Sequence, residues 1–427
     1  MGRHSAPAIM GLGSPILEID LKPMNSRIKY LVVTTSTCVM LLLVLGTVRG
    51  RSASSDRPYP QLGVYTEVLH RIKSEYVEEP DMKSVTLGAL NGLLESVDPF
   101  ASYLNADQYK DYLKNKDAHK AGVGLVLAKK FGFVGIVGVT PGSPAAKSGL
   151  ATNDMLETIN GVATRDMPLA YASMLLEGDP GSNVEMTVVR VRRPEPQKIK
   201  LTRANIVYPP VTEKMMADNI GYIQPATLAP GKVKEVAAAV ESLQKQGAQK
   251  LILDLRNCAV GTPQDGIALA NLFLAKGEIT YLQGQKVPRQ DFEADAAKDI
   301  TKLPLVVITN RGTADGAEIA AGALLDDKRA ELVGERTYGD ASLRKPVTME
   351  DGGAIILSVA KYYSPSGKAI QDVGVTPETV MSEPETEMEL DENGEPLPET
   401  PDQPEHKQQE DPLLKKAIEI ANGQKTA

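Results

Sequence analysis

The sequence has no tryptophan, five phenylalanines and only two cysteines in 427 residues. Cys38 lies inside an apolar run and Cys258 far downstream, so no disulfide framework and no cysteine-based metal cluster can be built. Histidine is equally scarce. His4, His70, His119 and His406 are scattered through a tail, a helix, a linker and an acidic segment, which leaves a Ser-His-Asp triad without a base near the core. Aromatic residues make up 4% of the chain and no basic face is concentrated enough to track a phosphate backbone, so nucleic acid is not an expected partner. Neither a metal nor a cofactor is expected.

What is present is unevenly distributed. The formal net charge is −8, but residues 382–411 carry twelve acidic residues against one lysine, a local net of −11, which leaves +3 for the remaining residues. That segment is also proline-rich and too poor in apolar residues to fold alone. Residues 412–427 follow with helical spacing in LLKKAIEIA, consistent with either a docked helix or a free amphipathic tail. At the other end, residues 1–29 are polar, and 30–48 form a nineteen-residue uncharged apolar run, long enough to span a bilayer as a helix. An uncleaved anchor in a bacterial inner membrane, single-pass with the bulk of the chain extracytoplasmic (periplasmic), is expected. The alternative is a cleaved signal peptide, with small residues at Ser52, Ala53 and Ser54.

Between these ends the patterning is that of an α/β chain, long enough for two or three domains. Residues 60–119 read as a helical lead-in, with apolar positions Val64, Val68, Leu69, Ile72 and Tyr76 at helical spacing. The stretch 303–345 is the organising element: a buried-strand run Leu305–Thr309, a turn, an Ala-rich helix over 317–325, and a second strand-like run Leu332-Val333-Gly334. A residue between such a strand and helix sits beside free helix N–H groups, where a developing negative charge is stabilised.

The turn and helix of this stretch, Gly312-Thr313-Ala314-Asp315-Gly316-Ala317-Glu318-Ile319, together with Gly334-Glu335-Arg336-Thr337-Tyr338-Gly339-Asp340, resemble the signature of the C-terminal processing peptidases, the tail-specific serine proteases of the S41 class. The frame runs without a gap. It places the family's nucleophilic serine on Asp315, its general-base lysine on Asp340 and the supporting glutamine on Arg344. Upstream, Leu251-Ile252-Leu253-Asp254-Leu255-Arg256-Asn257 matches the strand before the family's oxyanion loop, but Cys258-Ala259-Val260-Gly261 stands where Asn-Pro-Gly-Gly is usual. Val260 and Gly261 thus occupy the oxyanion-loop position, and a β-branched Val260 resists the backbone angles that glycine permits.

The resemblance extends upstream. Val97-Asp98-Pro99-Phe100-Ala101-Ser102-Tyr103 is similar to the segment preceding the family's PDZ domain. Residues 120–204 carry the ordered PDZ motifs, with Gly122, Val123, Gly124 and Leu125 as the loop whose N–H groups hold a peptide's terminal carboxylate. Residues 205–381 then resemble the α/β (ClpP/crotonase-like) S41 peptidase core. The implied function is an S41 homologue that has lost proteolysis, a carboxylate being unable to act as a nucleophilic hydroxyl. It would hold protein C-terminal tails or peptides, with a homo-oligomer or an active homologue as further partners. One alternative is an active serine-type endopeptidase cleaving near protein C-termini by relocated residues such as Ser342 and Lys345; another version of an active peptidase would use Asp315 and Asp340 as a proton-sharing carboxyl pair, as in aspartic proteases. Another is a non-catalytic envelope scaffold.

Overall fold

A computed structural model describes residues 27, 30–31, 33–40, 61–115, 121–130, 132–165, 167–190, 193–382 and 411–423. The chain divides into two units, Met1–Met82 and Lys83–Ala427. In the first, α1 (Gln61–Glu75) carries the expected lead-in spacing. Residues 30, 31 and 33–40 are helical and exposed, while 32 and 41–48 lie outside the described residues. Among the described residues no helix is long and apolar enough to cross a membrane, so the anchor expected over 30–48 is not supported by the structure. Most of the acidic segment 382–411 also lies outside the described residues.

The second unit contains α2 (Met82–Glu95) except its first residue, then β1 (Ser102–Leu104) and α3 (Ala106–Asn115). A small antiparallel sheet follows: β2 (Leu125–Lys130), β3 (Phe133–Val139), β4 (Met155–Ile159), β5 (Val162–Ala163), β6 (Asn183–Arg190) and β7 (Arg193–Thr202). Its order is β2-β3-β4-β6-β7 with β5 on β4, and helices α4 (Pro144–Lys147) and α5 (Leu169–Leu176) complete the domain. Its core of Val134, Ile136, Leu156, Ile159, Met186 and Val188 is buried.

The larger sheet runs β8 (Thr212–Met215), β9 (Ile220–Gln224), β10 (Lys250–Asp254), β13 (Leu305–Thr309), β14 (Ala330–Gly334) and β17 (Thr379–Val380). From β9 to β17 the pairing is parallel, and β8 is antiparallel to β9. The connections are α6 (Lys232–Lys245), α7 (Pro263–Asn271) and α8 (Gly316–Asp326). Strand residues divide by parity. Leu251, Leu253, Leu305, Val307 and Leu332 face one apolar cluster with these helices. Ile252, Val306, Ile308 and Val333 face another, completed by Leu413 and Ala417 of α9 (Pro412–Ala421). Both faces are therefore covered, which is why the strands read as unbroken apolar runs. The C-terminal helix is docked, an outcome the sequence left open.

A third sheet has the order β1-β16-β11-β12, with β11 (Glu278–Gln283), β12 (Gln290–Glu293), β16 (Ala354–Tyr363) and β15 (Ser342–Thr348) paired to β16. β16 is one long strand, and its hairpin partner is 342–348.

Candidate functional site

The site is built where β10 and β13 end. Asn310 Oδ1 accepts from the N–H groups of Gly312 (3.0 Å) and Asn257 (2.9 Å), and its Nδ2 donates to Asn257 Oδ1 at 3.1 Å. The Thr313 hydroxyl donates to the Leu255 carbonyl at 2.8 Å. These bonds clamp the two strand-end loops together and leave Asp315 as the N-cap of α8, with φ 52° and ψ −123°. Positive φ is uncommon outside glycine, and aspartate and asparagine tolerate it best. Behind the cap, α7 and α8 approach so closely that a Cβ on Gly266 would lie 2.0 Å from the Gly316 carbonyl oxygen.

Glu318, one turn into α8, is fully buried. Its Oε1 accepts from the Gly339 N–H at 2.7 Å and from the Thr337 hydroxyl. Its Oε2 accepts from the N–H groups of Asp340 (2.7 Å) and Asp315 (3.1 Å). One carboxyl therefore holds the backbone at both substituted positions, 315 and 340. Burial pushes its pKa up to about 8, against the opposing pull of its Thr337, Asp340 and Gly339 donors.

The Arg344 guanidinium pairs with Asp340 and lies over the Phe100 ring at 4.2 Å. Asp340 is raised above the usual carboxylate range by burial, and Arg344 pulls the other way. Asp315 is raised well above that range, first by burial and then by the Asp340 charge, with Arg344 opposing both. Asp315, Asp340 and Arg344, separated by up to 29 positions in sequence, are thus brought to one place.

That place opens into a cavity of about 1010 Å³. Its other wall is the groove between β2 and α5, with Gly122, Val123, Gly124, Leu125 and the α5 residues Leu169 and Ser173 on its lining. The four loop residues are not equivalent. The Gly122 N–H already donates to the Ala204 carbonyl at 3.0 Å. Among the described residues no such bond engages the N–H of Val123 or Gly124, so these are the amides free for a carboxylate. Gly124 has φ 82°, and a Cβ there would meet Ser143 Cβ at 2.3 Å.

Val260 lines the cavity and its carbonyl accepts from the Leu228 N–H at 2.6 Å. Gly261 is not on the lining; a Cβ there would stand 2.7 Å from Leu228 Cβ, so close approach explains this glycine. Val260 does not take a positive φ; the positive φ of this loop, 58°, belongs to Asn257. Ser342 and Lys345 do not form a relocated dyad. Both lie in β15, where the Ser342 hydroxyl is 2.8 Å from that of Ser358 and Lys345 is exposed.

Family models match this architecture, peptidase family S41 over residues 219–381 and a PDZ domain over residues 135–190. The chain is 31% identical over 338 residues to a carboxy-terminal-processing protease of Bartonella bacilliformis, covering 78% of this chain and 77% of that protein. The chain belongs to peptidase family S41. A second S41 relative, a carboxyl-terminal-processing protease of Synechocystis, is 33% identical over 321 residues, covering 73% of this chain and 75% of its own. Among solved structures, the photosystem II D1 C-terminal processing protease superposes with a TM-score of 0.61 at 27% identity, over 76% of this chain and 94% of that one.

Within the S41 frame, sequence reasoning missed two residues that shape the site. Glu318 was visible inside the motif, and a buried acid three residues after a helix N-cap is itself a signal for a capping partner. Phe100, beneath Arg344, comes from the lead-in and had no local signal. The geometry can hold a peptide against free N–H groups at one end and acidic side chains at the other.

Proposed function

We propose that this S41 chain binds the C-terminal tails of other proteins in its PDZ groove and does not cleave them. The observation carrying this reading is the carboxyl of Asp315 at the cap of α8, where serine attack requires a hydroxyl, with ion-paired Asp340 in place of a neutral amine. The free amides of Val123 and Gly124 support the binding half. The chain would be held by an uncleaved segment at 30–48 with its bulk outside the cytoplasm, a cleaved signal peptide being the alternative. An oligomer or an active homologue would be its working partner.

A second reading has one observation in its favour. Asp315 and Asp340 are both raised, as in a carboxyl pair sharing a proton. The Arg344 pairing argues against it, because a guanidinium bound to Asp340 removes the need to share. Incubating the purified chain with an unfolded protein bearing an apolar C-terminus separates the two. Intact substrate is the expected result, whereas cleavage abolished by Asp315→Ala would overturn the proposal. Binding is tested with a labelled peptide, which should bind with a free terminus and not when amidated.

A further inference from the structure

The cavity has a feature that a binding groove alone does not require. Asp340 has its counter-ion in Arg344, but no side chain among the described residues donates a hydrogen bond to the carboxyl of Asp315. The charged or titratable groups acting on Asp315 are Asp340 and Arg344 at the β15 end, Glu318 on α8, Asp265 on α7 and Tyr362 on β16. Three of these are acids and one is a cation already committed to Asp340. The recess therefore holds an acid that has a backbone cap from its own helix, through the Glu318 N–H, but no cation of its own among the described residues.

A peptide residue with a cationic side chain supplies the missing charge, its ammonium or guanidinium facing the carboxyl. Such a residue belongs to the same ligand as the terminal carboxylate, because Asp315, Arg344, Val123 and Gly124 all line one cavity. We infer that the altered nucleophile pocket is a specificity pocket for a lysine or arginine upstream of the free carboxylate in the bound tail. This rests on the tail-binding reading and adds to it a substrate class: tails with an apolar last residue and a basic residue further in. Asp315 would be a binding residue, acting where the family's protease chemistry is placed by resemblance.

The experiment titrates the full chain with fluorescein-labelled peptides that end in a free valine. One lysine is moved along an alanine-serine background, with norleucine at the same positions as the neutral match. A charge-assisted hydrogen bond in a recess of this kind corresponds to about tenfold or more in affinity. The expected result is that preference at one lysine position, falling to about one in Asp315→Asn and returning in Asp315→Glu. Asparagine suits the test because it tolerates the positive φ of this position. Equal affinity for lysine and norleucine peptides, with amidation still abolishing binding, overturns this inference and leaves tail binding intact. A lysine preference that survives Asp315→Asn overturns it as well. Binding that ignores amidation, or no binding at all, overturns both.

Discussion

Glu318→Ala tests the site's architecture through two opposing energies. The substitution removes the acceptor for three backbone N–H groups, of Asp315, Gly339 and Asp340, and for the Thr337 hydroxyl. Each buried donor left without a partner costs about 1–3 kcal/mol. A water entering the vacated space can recover part of this, having several polar partners there, so a net loss of about 3–4 kcal/mol is expected near pH 5. The opposing energy comes from the acid itself. Its pKa is about 8 in the fold against 4.5 for the ordinary side chain. Between those values the folded chain keeps a proton that the unfolded chain releases, so wild-type stability falls as pH rises through the window. At about 1.4 kcal/mol per pH unit the decline reaches on the order of 4 kcal/mol by pH 8. Alanine has no acid to desolvate, so the gap between wild type and variant should shrink towards zero from pH 5 to pH 8. Urea unfolding followed by far-UV circular dichroism measures it, tryptophan fluorescence being absent from this chain. A gap that stays constant or widens with pH would refute the reasoning.

Two further outcomes follow from the strand ends. Arg256 pairs with fully buried Asp254 and, at 2.7 Å, with Asp411 at the cap of α9. Asp411→Ala should cost about 1–2 kcal/mol and raise protease sensitivity at 411–423 with the sheet intact, whereas Arg256→Ala should cost about 3–5 kcal/mol by stranding Asp254. Limited proteolysis with thermal unfolding distinguishes them, and equal effects would show that the helix is not independently released. Reversion of the site, Asp315→Ser with Asp340→Lys and Arg344→Gln, should give little peptide cleavage until Val260→Gly is added. A gain of about a hundredfold is expected from that last change, the size of one oxyanion donor; full activity in the triple variant would show that Val260 is no obstacle.

The strand, turn and helix of 305–326 were legible because each element carries its own period, and the helix begins within one residue of its expected start. The docking of α9 was not. Ile252 and Val306, which receive it, are indistinguishable in sequence from Leu251 and Leu305, which face the other way. The hairpin of β15 and β16 was not legible because the strand 342–348 is mostly polar and partly exposed, and so lacks an apolar signature. At the site, the identities of Asp315, Asp340 and Arg344 were readable by frame, but not that Arg344 reaches Asp340 and Phe100. Nor was the reach of Glu318 back over residues 337–340, which depends on the chain returning across the start of α8.

The packing of the small sheet sets a limit on how the chain can be cut. Its apolar cluster includes Phe100 from before the domain, and Ala259 and Ala314 from the two loops that shape the site. Gly138 of β3 touches Ala259 so closely that a Cβ there would come within 2.7 Å of the alanine methyl. A fragment trimmed to residues 120–204 would bare this surface to water and lose the acidic end of its groove in the same stroke. Under the proposed tail binding, recognition would be a property of the joined domains, and an isolated PDZ piece would report on a different molecule.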